Sequence, residues 1–316
     1  MIGRRAFRTT AAGLLAALLA GCATLPQRAP VQPQIAITID DLPVHAPLPP
    51  GTDAVAVNRE MIAALKAARV PAYAVINGAN AGQPKIDVLQ EWTAAGMQLG
   101  NHGWAHRHLS EMSVDEFEQE LIRNEPLLRR AGGDWRWFRY PFLDEGKDAE
   151  QRAAARRVLA RHGYKIAAVT LDTWDWQWTA PYARCSAAGD KRAIAELERM
   201  YLDAAKESIA VARETARELH GRDIPYVQLM HVSAMSARMM PRLLRLYRDE
   251  GFRFVSLPEA QRDPTYRAYT DPSEPAPLSV WEIAERKGVK LPQATDYSAK
   301  LAMMCVGGDA ASTPSP

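Results

Sequence analysis

Short apolar segments alternate along most of the chain with longer segments of helical periodicity. Residues 35–39 are rich in β-branched side chains, which is typical of a strand buried in a parallel sheet. Residues 53–69 follow, with apolar side chains spaced to form one face of a helix. This succession repeats roughly seven times up to residue 257. It predicts parallel strands joined by crossover helices, in either a closed barrel or an open sheet.

The pattern gives approximate bounds for each element. The predicted strands cover residues 35–39, 72–76, 97–100, 136–139, 164–171, 225–230 and 252–257. The predicted helices cover residues 53–69, 86–95, 113–130, 149–161, 190–220, 236–249 and 280–287. Ser113 and Glu116 have the spacing of a capping box, which predicts where the third helix begins.

Polar side chains occur where five of the seven predicted strands end. They are Asp40 and Asp41, Asn101 and His102, Arg139, Asp172, and His231. In barrels and in open parallel sheets, the carboxyl ends of the strands meet on one side of the molecule. Scattered surface polarity would not select the same end of five strands. We therefore predict a site on this rim that binds a metal, a proton or an anion.

His102 and His106 are four residues apart. On one helical turn this spacing places both imidazoles on one face, able to hold a single ion, although a solvated surface pair has the same spacing. Asp41 adds a carboxylate, whereas His108 has a spacing that suits neither histidine. Two histidines and one carboxylate leave positions for water and substrate, which suits Zn²⁺ and, less distinctively, Co²⁺, Ni²⁺ or Fe²⁺.

Five short motifs at these strand ends resemble those of a known family. In order they are Thr38-Ile39-Asp40-Asp41, His102-Gly103-Trp104-Ala105-His106, Arg139-Tyr140-Pro141-Phe142, Asp172 with Trp176, and Leu229-Met230-His231. The order and content resemble the polysaccharide deacetylases with a NodB homology domain, carbohydrate esterase family 4. The resemblance implies a distorted (β/α)7 barrel of the NodB type, which we assign to residues 34–260.

The resemblance implies the roles of the metal-binding and base residues. Asp41, His102 and His106 would bind a divalent metal that activates water and polarises an acyl carbonyl. Asp40 would be the general base that takes the proton of this water. Arg139 would hold Asp40 in place and keep it ionised.

The resemblance also implies an acid and a binding pocket. His231 would protonate the leaving group, and Asp172 would favour its imidazolium form. The backbone N–H near Phe142 would help to stabilise the oxyanion. Leu229 and Trp176 would wall the pocket for the acetyl methyl group.

Three features depart from the family pattern. Gly103 stands where a serine or threonine is usual, and Arg107 replaces a proline. Phe142 replaces a tyrosine, and residues 179–222 form a long region. These departures leave the reaction type unchanged and the substrate open.

The composition is that of an ordinary globular protein. Of 316 residues, 47% are hydrophobic and 24% are charged, and the formal net charge is +2. So small a charge, without a basic segment after the amino terminus, predicts no nucleic-acid partner. The oligomeric state stays open.

The amino terminus looks like an export signal. Arg4 and Arg5 precede an apolar run at residues 11–20 that is too short to span a bilayer. Leu19-Ala20-Gly21-Cys22 resembles a bacterial lipoprotein box, which implies cleavage after residue 21 and a lipid on Cys22. A plain secretory signal with a chance cysteine is the alternative. Residues 22–33 would be a tether, and the protein would be anchored to a membrane of the cell envelope, facing the periplasm or the exterior.

Two further cysteines and the carboxyl-terminal segment lie outside the motifs described above. Cys185 and Cys305 would lie in an oxidising compartment, either as one disulfide or as two buried thiols. Residues 261–316 would form an extension, and its end, from residue 307, is predicted to be disordered.

The predicted function is metal-dependent removal of N- or O-acetyl groups from a cell-envelope or extracellular polysaccharide. A metal-dependent amidase acting on small non-sugar C–N bonds is one alternative. A non-catalytic glycan-binding lipoprotein on the same scaffold is another. Asp40, Arg139 and His231 favour an enzyme, because binding alone needs no acid and base pair.

Overall fold

The computed structural model describes residues 32–82 and 85–307. These residues belong to one compact unit. The predicted signal peptide, the lipid-bearing Cys22, residues 22–31 of the tether and residues 308–316 of the predicted disordered end lie outside the described residues. Within the described ranges, no helix is both long and apolar enough to cross a membrane.

The described residues form eight strands, and all strand pairs are parallel. The strands are β1 (Gln34–Leu42), β2 (Tyr73–Ile76), β3 (Gln98–Asn101), β4 (Trp137–Phe138), β5 (Lys165–Ile166), β6 (Leu171–Asp172), β7 (Tyr226–His231) and β8 (Arg253–Phe254). Their spatial order is β5-β4-β3-β2-β1-β7-β6, and β8 pairs with the amino-terminal end of β1.

The strand predicted at residues 164–171 is broken into β5 and β6, which lie at opposite ends of this order. Residues 167–170 join the two. The N–H of Ala167 donates to the carbonyl of Phe138 in β4, the neighbour of β5. The N–H of Thr170 donates to the carbonyl of Val227 in β7. One stretch of chain thus links both ends of the curled sheet, and the result is the predicted distorted (β/α)7 barrel.

Helices connect the strands and cover the outside of the barrel. They are α1 (Ala54–Ala68), α2 (Lys85–Ala94), α3 (Val114–Ala131), α4 (Ala149–Arg161), α5 (Thr179–Ala187), α6 (Lys191–His220), α7 (Ala234–Asp249), α8 (Leu257–Ala260), α9 (Arg267–Thr270), α10 (Val280–Lys287) and α11 (Ser298–Met303). The capping box of Ser113 and Glu116 is confirmed at the start of α3. The last predicted strand is shorter than expected, because Leu257 already belongs to α8.

The main core lies around β1. Residues 35–37 and Ile39 of β1 are fully buried, as expected for a strand covered on both faces. The carboxyl-terminal extension packs against α6 through a small cluster of Leu219, Ala284 and Leu291. Of the two alternatives for the cysteines, the structure has the disulfide, between Cys185 in α5 and Cys305.

Candidate active site

The end of β1 positions two adjacent carboxylates. In the register of β1 and β7, Asp40 is the partner of His231, so these two residues meet at the rim. Asp41 has a φ of 66°, in the left-handed region, which costs free energy for a residue other than glycine. Nδ2 of Asn77 donates to Oδ1 of Asp41 over 2.7 Å. This hydrogen bond fixes the orientation of the Asp41 carboxylate.

The loop after β3 carries both histidines, and it is not the helical turn that their spacing predicted. Residues 102–108 contain no helix, and Gly103 and His106 have φ angles of 75° and 51°. Oε2 of Glu120 on α3 accepts the backbone N–H groups of Trp104 and of the next residue at 3.0 and 2.6 Å. The histidines converge because the loop bends, and glycine suits the positive φ at the position where serine or threonine was expected.

Asp41, His102 and His106 form a compact set of metal donors. Nε2 of His106 lies 3.2 Å from Oδ1 of Asp41, and Nε2 of His102 lies 3.6 Å from the same oxygen. One donor atom from each residue lies within 4.8 Å of the others. Nδ1 of His102 donates to the carbonyl of Arg139 over 2.8 Å, which leaves the lone pair of Nε2 available to coordinate a metal. Two imidazole nitrogens and a carboxylate fit a divalent ion.

The protonation states of this set suit metal binding. Burial and the neighbouring His102 lower the pKa of His106 to about 4. Burial raises the pKa of Asp41, but the nearby histidines outweigh it and the net pKa is lowered. At neutral pH the imidazole of His106 is therefore neutral and Asp41 is ionised, as metal coordination requires.

Arg139 holds Asp40 beside the donor set. Both residues are buried, and Nη1 of Arg139 donates to Oδ1 of Asp40 over 3.1 Å. The same guanidinium donates from Nε to the carbonyl of Ala167 and from Nη2 to Oγ1 of Thr38, at 2.8 and 3.0 Å. Oδ2 of Asp40 lies 3.6 Å from Nε2 of His102. Asp40 thus lies between a fixed cation and the metal donors.

His231 is held by Asp175, a residue that the sequence analysis did not select. Oδ1 of Asp175 lies 2.8 Å from Nδ1 of His231, and Oδ2 accepts the backbone N–H of His231 at the same distance. Ser236 also donates to Oδ2 over 2.7 Å. Burial lowers the pKa of His231, but Asp175 and the two carboxylates of β1 outweigh it and raise the pKa to about 9. His231 is therefore protonated at neutral pH.

Asp172 was predicted to favour the imidazolium form of His231, but the carboxylate that is hydrogen-bonded to His231 is that of Asp175. Oδ1 of Asp172 accepts the backbone N–H of Trp174 over 2.7 Å. Trp174 has a φ of 55°, which turns the chain so that the third residue after β6 faces His231. Burial raises the pKa of Asp172 to about 6. The only sequence signal for Asp175 was a second carboxylate close after the same strand.

The three residues predicted to bind substrate lie around this rim. Leu229 is buried in β7, beside Thr38 in β1 and Asp172 in β6. The ring of Phe142 is 55% exposed and lies 4.3 Å from the ring of His106. Trp176 is 44% exposed. The exposed ring of Phe142 therefore borders the metal donors on one side, and the exposed Trp176 directly follows Asp175 in the chain.

His45 is a further residue at the site that the sequence analysis missed. Its ring centroid lies 5.1 Å from that of His231, and its Nδ1 lies 3.1 Å from Oγ1 of Thr179. Its backbone N–H donates to the carbonyl of Val232 over 2.7 Å. Burial and the neighbouring His231 lower the pKa of His45. No motif or spacing marked this residue, because its loop meets His231 only in the folded chain.

Comparison with known proteins agrees with this geometry. Residues 27–167 match the family model described as polysaccharide deacetylase. The match covers the segments that carry Asp40, Asp41, His102, His106 and Arg139, whereas Asp175 and His231 lie beyond it. Over residues 27–167, somewhat less than half of the chain, the sequence is similar to polysaccharide deacetylases.

Several solved structures of carbohydrate esterase family 4 share the fold. A mutant of a family 4 pseudoenzyme with restored enzymatic activity is 17% identical, with a TM-score of 0.53 over 73% of this chain and 68% of that chain. A peptidoglycan N-acetylglucosamine deacetylase is 20% identical, with a TM-score of 0.51 over 73% and 88%. The chitin deacetylase of the fungal pathogen Colletotrichum lindemuthianum is 21% identical, with a TM-score of 0.50 over 73% and 88%. At these identities the likeness establishes the fold.

Proposed function

We propose that this protein is a metal-dependent deacetylase that removes N- or O-acetyl groups from a cell-envelope or extracellular polysaccharide. One observation carries the proposal. The metal donor set of Asp41, His102 and His106 lies on the same rim as a carboxylate fixed by Arg139 and a histidine fixed by Asp175. A purely binding site needs donors for a ligand, but it does not need a base and an acid that are oriented separately.

The bound metal, with Zn²⁺ preferred over Co²⁺, Ni²⁺ or Fe²⁺, supplies Lewis-acid chemistry that acidifies water and polarises the acyl carbonyl. Asp40 accepts a proton from the attacking water, and Arg139 keeps its carboxylate oriented. His231 donates a proton to the leaving nitrogen or oxygen. Asp175 serves this step because it binds Nδ1, so that Nε2 carries the proton that is transferred.

The direct test is release of acetate from a panel of acetylated glycans, with Asp40→Asn as the matched inactive variant. We expect turnover by the wild type and at least a hundredfold loss in Asp40→Asn with its metal content unchanged. Loss of both activity and metal would mean that the roles of Asp40 and Asp41 are exchanged.

The same experiment separates the alternatives. Hydrolysis of small amides without acetate release from any glycan would favour the amidase. Glycan binding without any turnover would favour a non-catalytic protein, and one of the similar structures is derived from a pseudoenzyme.

We propose further that the protein is exported and lipid-anchored through Cys22. The lipoprotein-like box at residues 19–22 supports this localisation. So does the disulfide between Cys185 and Cys305, since disulfides persist in oxidising compartments. Cys22→Ser should move the protein from the membrane fraction to the soluble fraction, whereas equal membrane association of both forms would contradict the proposal.

A further inference from the structure

A second cleft lies beside the candidate active site. It is bordered by α6, by the turn after β6 and by residues 292–298 of the carboxyl-terminal extension, and its volume is about 810 Å³. The lining of α6 extends from Ala204 to His220, which corresponds to about 24 Å of helix axis. The cleft is therefore long, and its volume lies within the range of small-molecule sites.

The cleft meets the candidate site at Asp172, which ends β6 and also lines the cleft. Trp174 and Trp176 line the cleft as well, and in the chain they flank Asp175, the residue that holds His231. The two indoles are 51% and 44% exposed, and their centroids lie 6.5 Å apart. A molecule that fills the cleft therefore contacts the two residues on either side of the one that binds the candidate acid.

The walls of the cleft are mainly apolar. Small and aliphatic side chains of α6, including Ala212 and Leu219, form one wall. Leu171 and Ile224 line it from the barrel side, and Pro292 lines it from the extension. Such a surface binds ligands mainly through the removal of apolar area from water.

Several polar groups in the lining are already engaged within the protein. The hydroxyl of Tyr226 donates to Asp223 over 2.7 Å, and the hydroxyl of Tyr297 donates to Glu207 over 3.2 Å. Oγ1 of Thr170 accepts the backbone N–H of Val227 over 2.9 Å. A carbohydrate needs partners for many hydroxyl groups, and burial without them is costly. An apolar chain has no such requirement, so the lining favours an apolar chain over a glycan.

We propose that this cleft binds the alkyl chain of an amphiphilic substrate whose acetylated sugar head reaches the rim. The inference rests on the proposed deacetylase function and names its substrate class: an acetylated sugar that carries an alkyl chain. The alkyl chain lies along α6, and the head leaves the cleft beside Trp174 and Trp176. The long region at residues 179–222 and the extension thus supply a substrate site next to the barrel.

The test uses hexyl, octyl and decyl glycosides of N-acetylglucosamine below their micelle concentrations. Binding is measured by calorimetry on the metal-loaded Asp40→Asn variant, so that no turnover interferes. We expect the affinity to rise by up to about tenfold for each two added methylenes. In the wild type, KM for acetate release should fall with chain length in parallel.

Two substitutions on α6 form a matched pair. Thr215 lines the cleft, whereas Glu218 on the same helix is exposed and does not. Thr215→Trp fills the cleft and should weaken octyl glycoside binding at least tenfold, with an unchanged circular dichroism spectrum. Glu218→Trp should bind as tightly as the parent. Equal binding by a folded Thr215→Trp variant would overturn the proposal.

Three further results are decisive. Affinity that does not depend on the length of the alkyl chain would overturn the proposal. Loss of N-acetylglucosamine tetramer binding in Thr215→Trp, without any effect of alkyl chain length, would also overturn it, because the cleft would then bind glycan. Chain-length-dependent binding, abolished by Thr215→Trp, together with no acetate release from any substrate, would refute the proposed deacetylase function and support the alkyl site.

Discussion

At the scale of single residues, two neighbouring aspartates have different partners. Asp175 binds Nδ1 of His231, whereas Asp172 binds the backbone N–H of Trp174. Because Asp175 raises the pKa of His231, its removal should lower this pKa. We therefore expect Asp175→Asn to move the alkaline limb of the pH dependence of kcat/KM down by about 1–3 pH units.

Asp172→Asn is the matched control for this measurement. It should displace the alkaline limb less than Asp175→Asn does, because Asp172 interacts with His231 through charge alone and makes no hydrogen bond to it in the described structure. Equal displacement by both substitutions would contradict the assignment of Asp175. Circular dichroism spectra of both variants would exclude a general loss of structure.

The sequence predicted most of the site residues, and the reason is geometric. Asp40, Asp41, His102, Arg139 and His231 stand directly at strand ends, where parallel strands must converge. Asp175 and His45 stand in loops, and their positions depend on contacts with distant parts of the chain. Strand periodicity carries no information about such contacts, so both residues became visible only in the fold.

At the scale of elements, Arg139 joins the active site to the closure of the barrel. Its guanidinium binds Asp40 and the carbonyls of Ala167 and Ala168 in the segment between β5 and β6. A side chain thus occupies carbonyls that a continuous strand would offer to a neighbouring strand. The sequence predicted one strand over residues 164–171. The break was not predictable from the local apolar pattern, because it depends on Arg139, which lies 28 residues before Ala167 in the chain.

Arg139→Met should therefore cost both stability and activity. The substitution leaves Asp40 buried without its cation and frees the carbonyl of Ala167. We expect the free energy of unfolding to fall by about 3–5 kcal/mol, measured by chemical denaturation. Adding Asp40→Asn should regain part of this loss, since the unpaired charge is then removed. A loss below about 1 kcal/mol in Arg139→Met would show that the pair adds little to stability.

At the scale of the whole molecule, the carboxyl-terminal extension is fixed to the barrel at several points. The disulfide joins α5 to Cys305 across 120 residues of sequence. Arg184, next to Cys185, donates to the carbonyls of Leu301 and Met304 at 3.0 and 3.2 Å. Composition allowed either a disulfide or two thiols, because whether two cysteines approach each other depends on tertiary structure.

The double change Cys185→Ala with Cys305→Ala should lower the free energy of unfolding by about 2–4 kcal/mol. It should also weaken octyl glycoside binding, because the segment held by the disulfide continues into one wall of the second cleft. Arg184→Gln, with the disulfide kept, is the milder comparison. Unchanged stability and unchanged binding in the double variant would mean that the hydrogen bonds alone hold the extension.

Metal binding is the property that tests the assembled rim as a whole. Each donor is oriented by a protein group, since Asn77 binds Asp41, the carbonyl of Arg139 binds His102, and Glu120 holds the loop that carries His106. The metal-free protein should therefore stay folded. A ligand that binds only the native state stabilises it by about 2.7 kcal/mol at 100 times its Kd. We expect chelation to lower Tm by several degrees and added Zn²⁺ to restore it, as measured by calorimetry. The variant His102→Ala with His106→Ala should show no response to Zn²⁺, whereas an equal Zn²⁺-dependent shift in this variant would place the metal elsewhere.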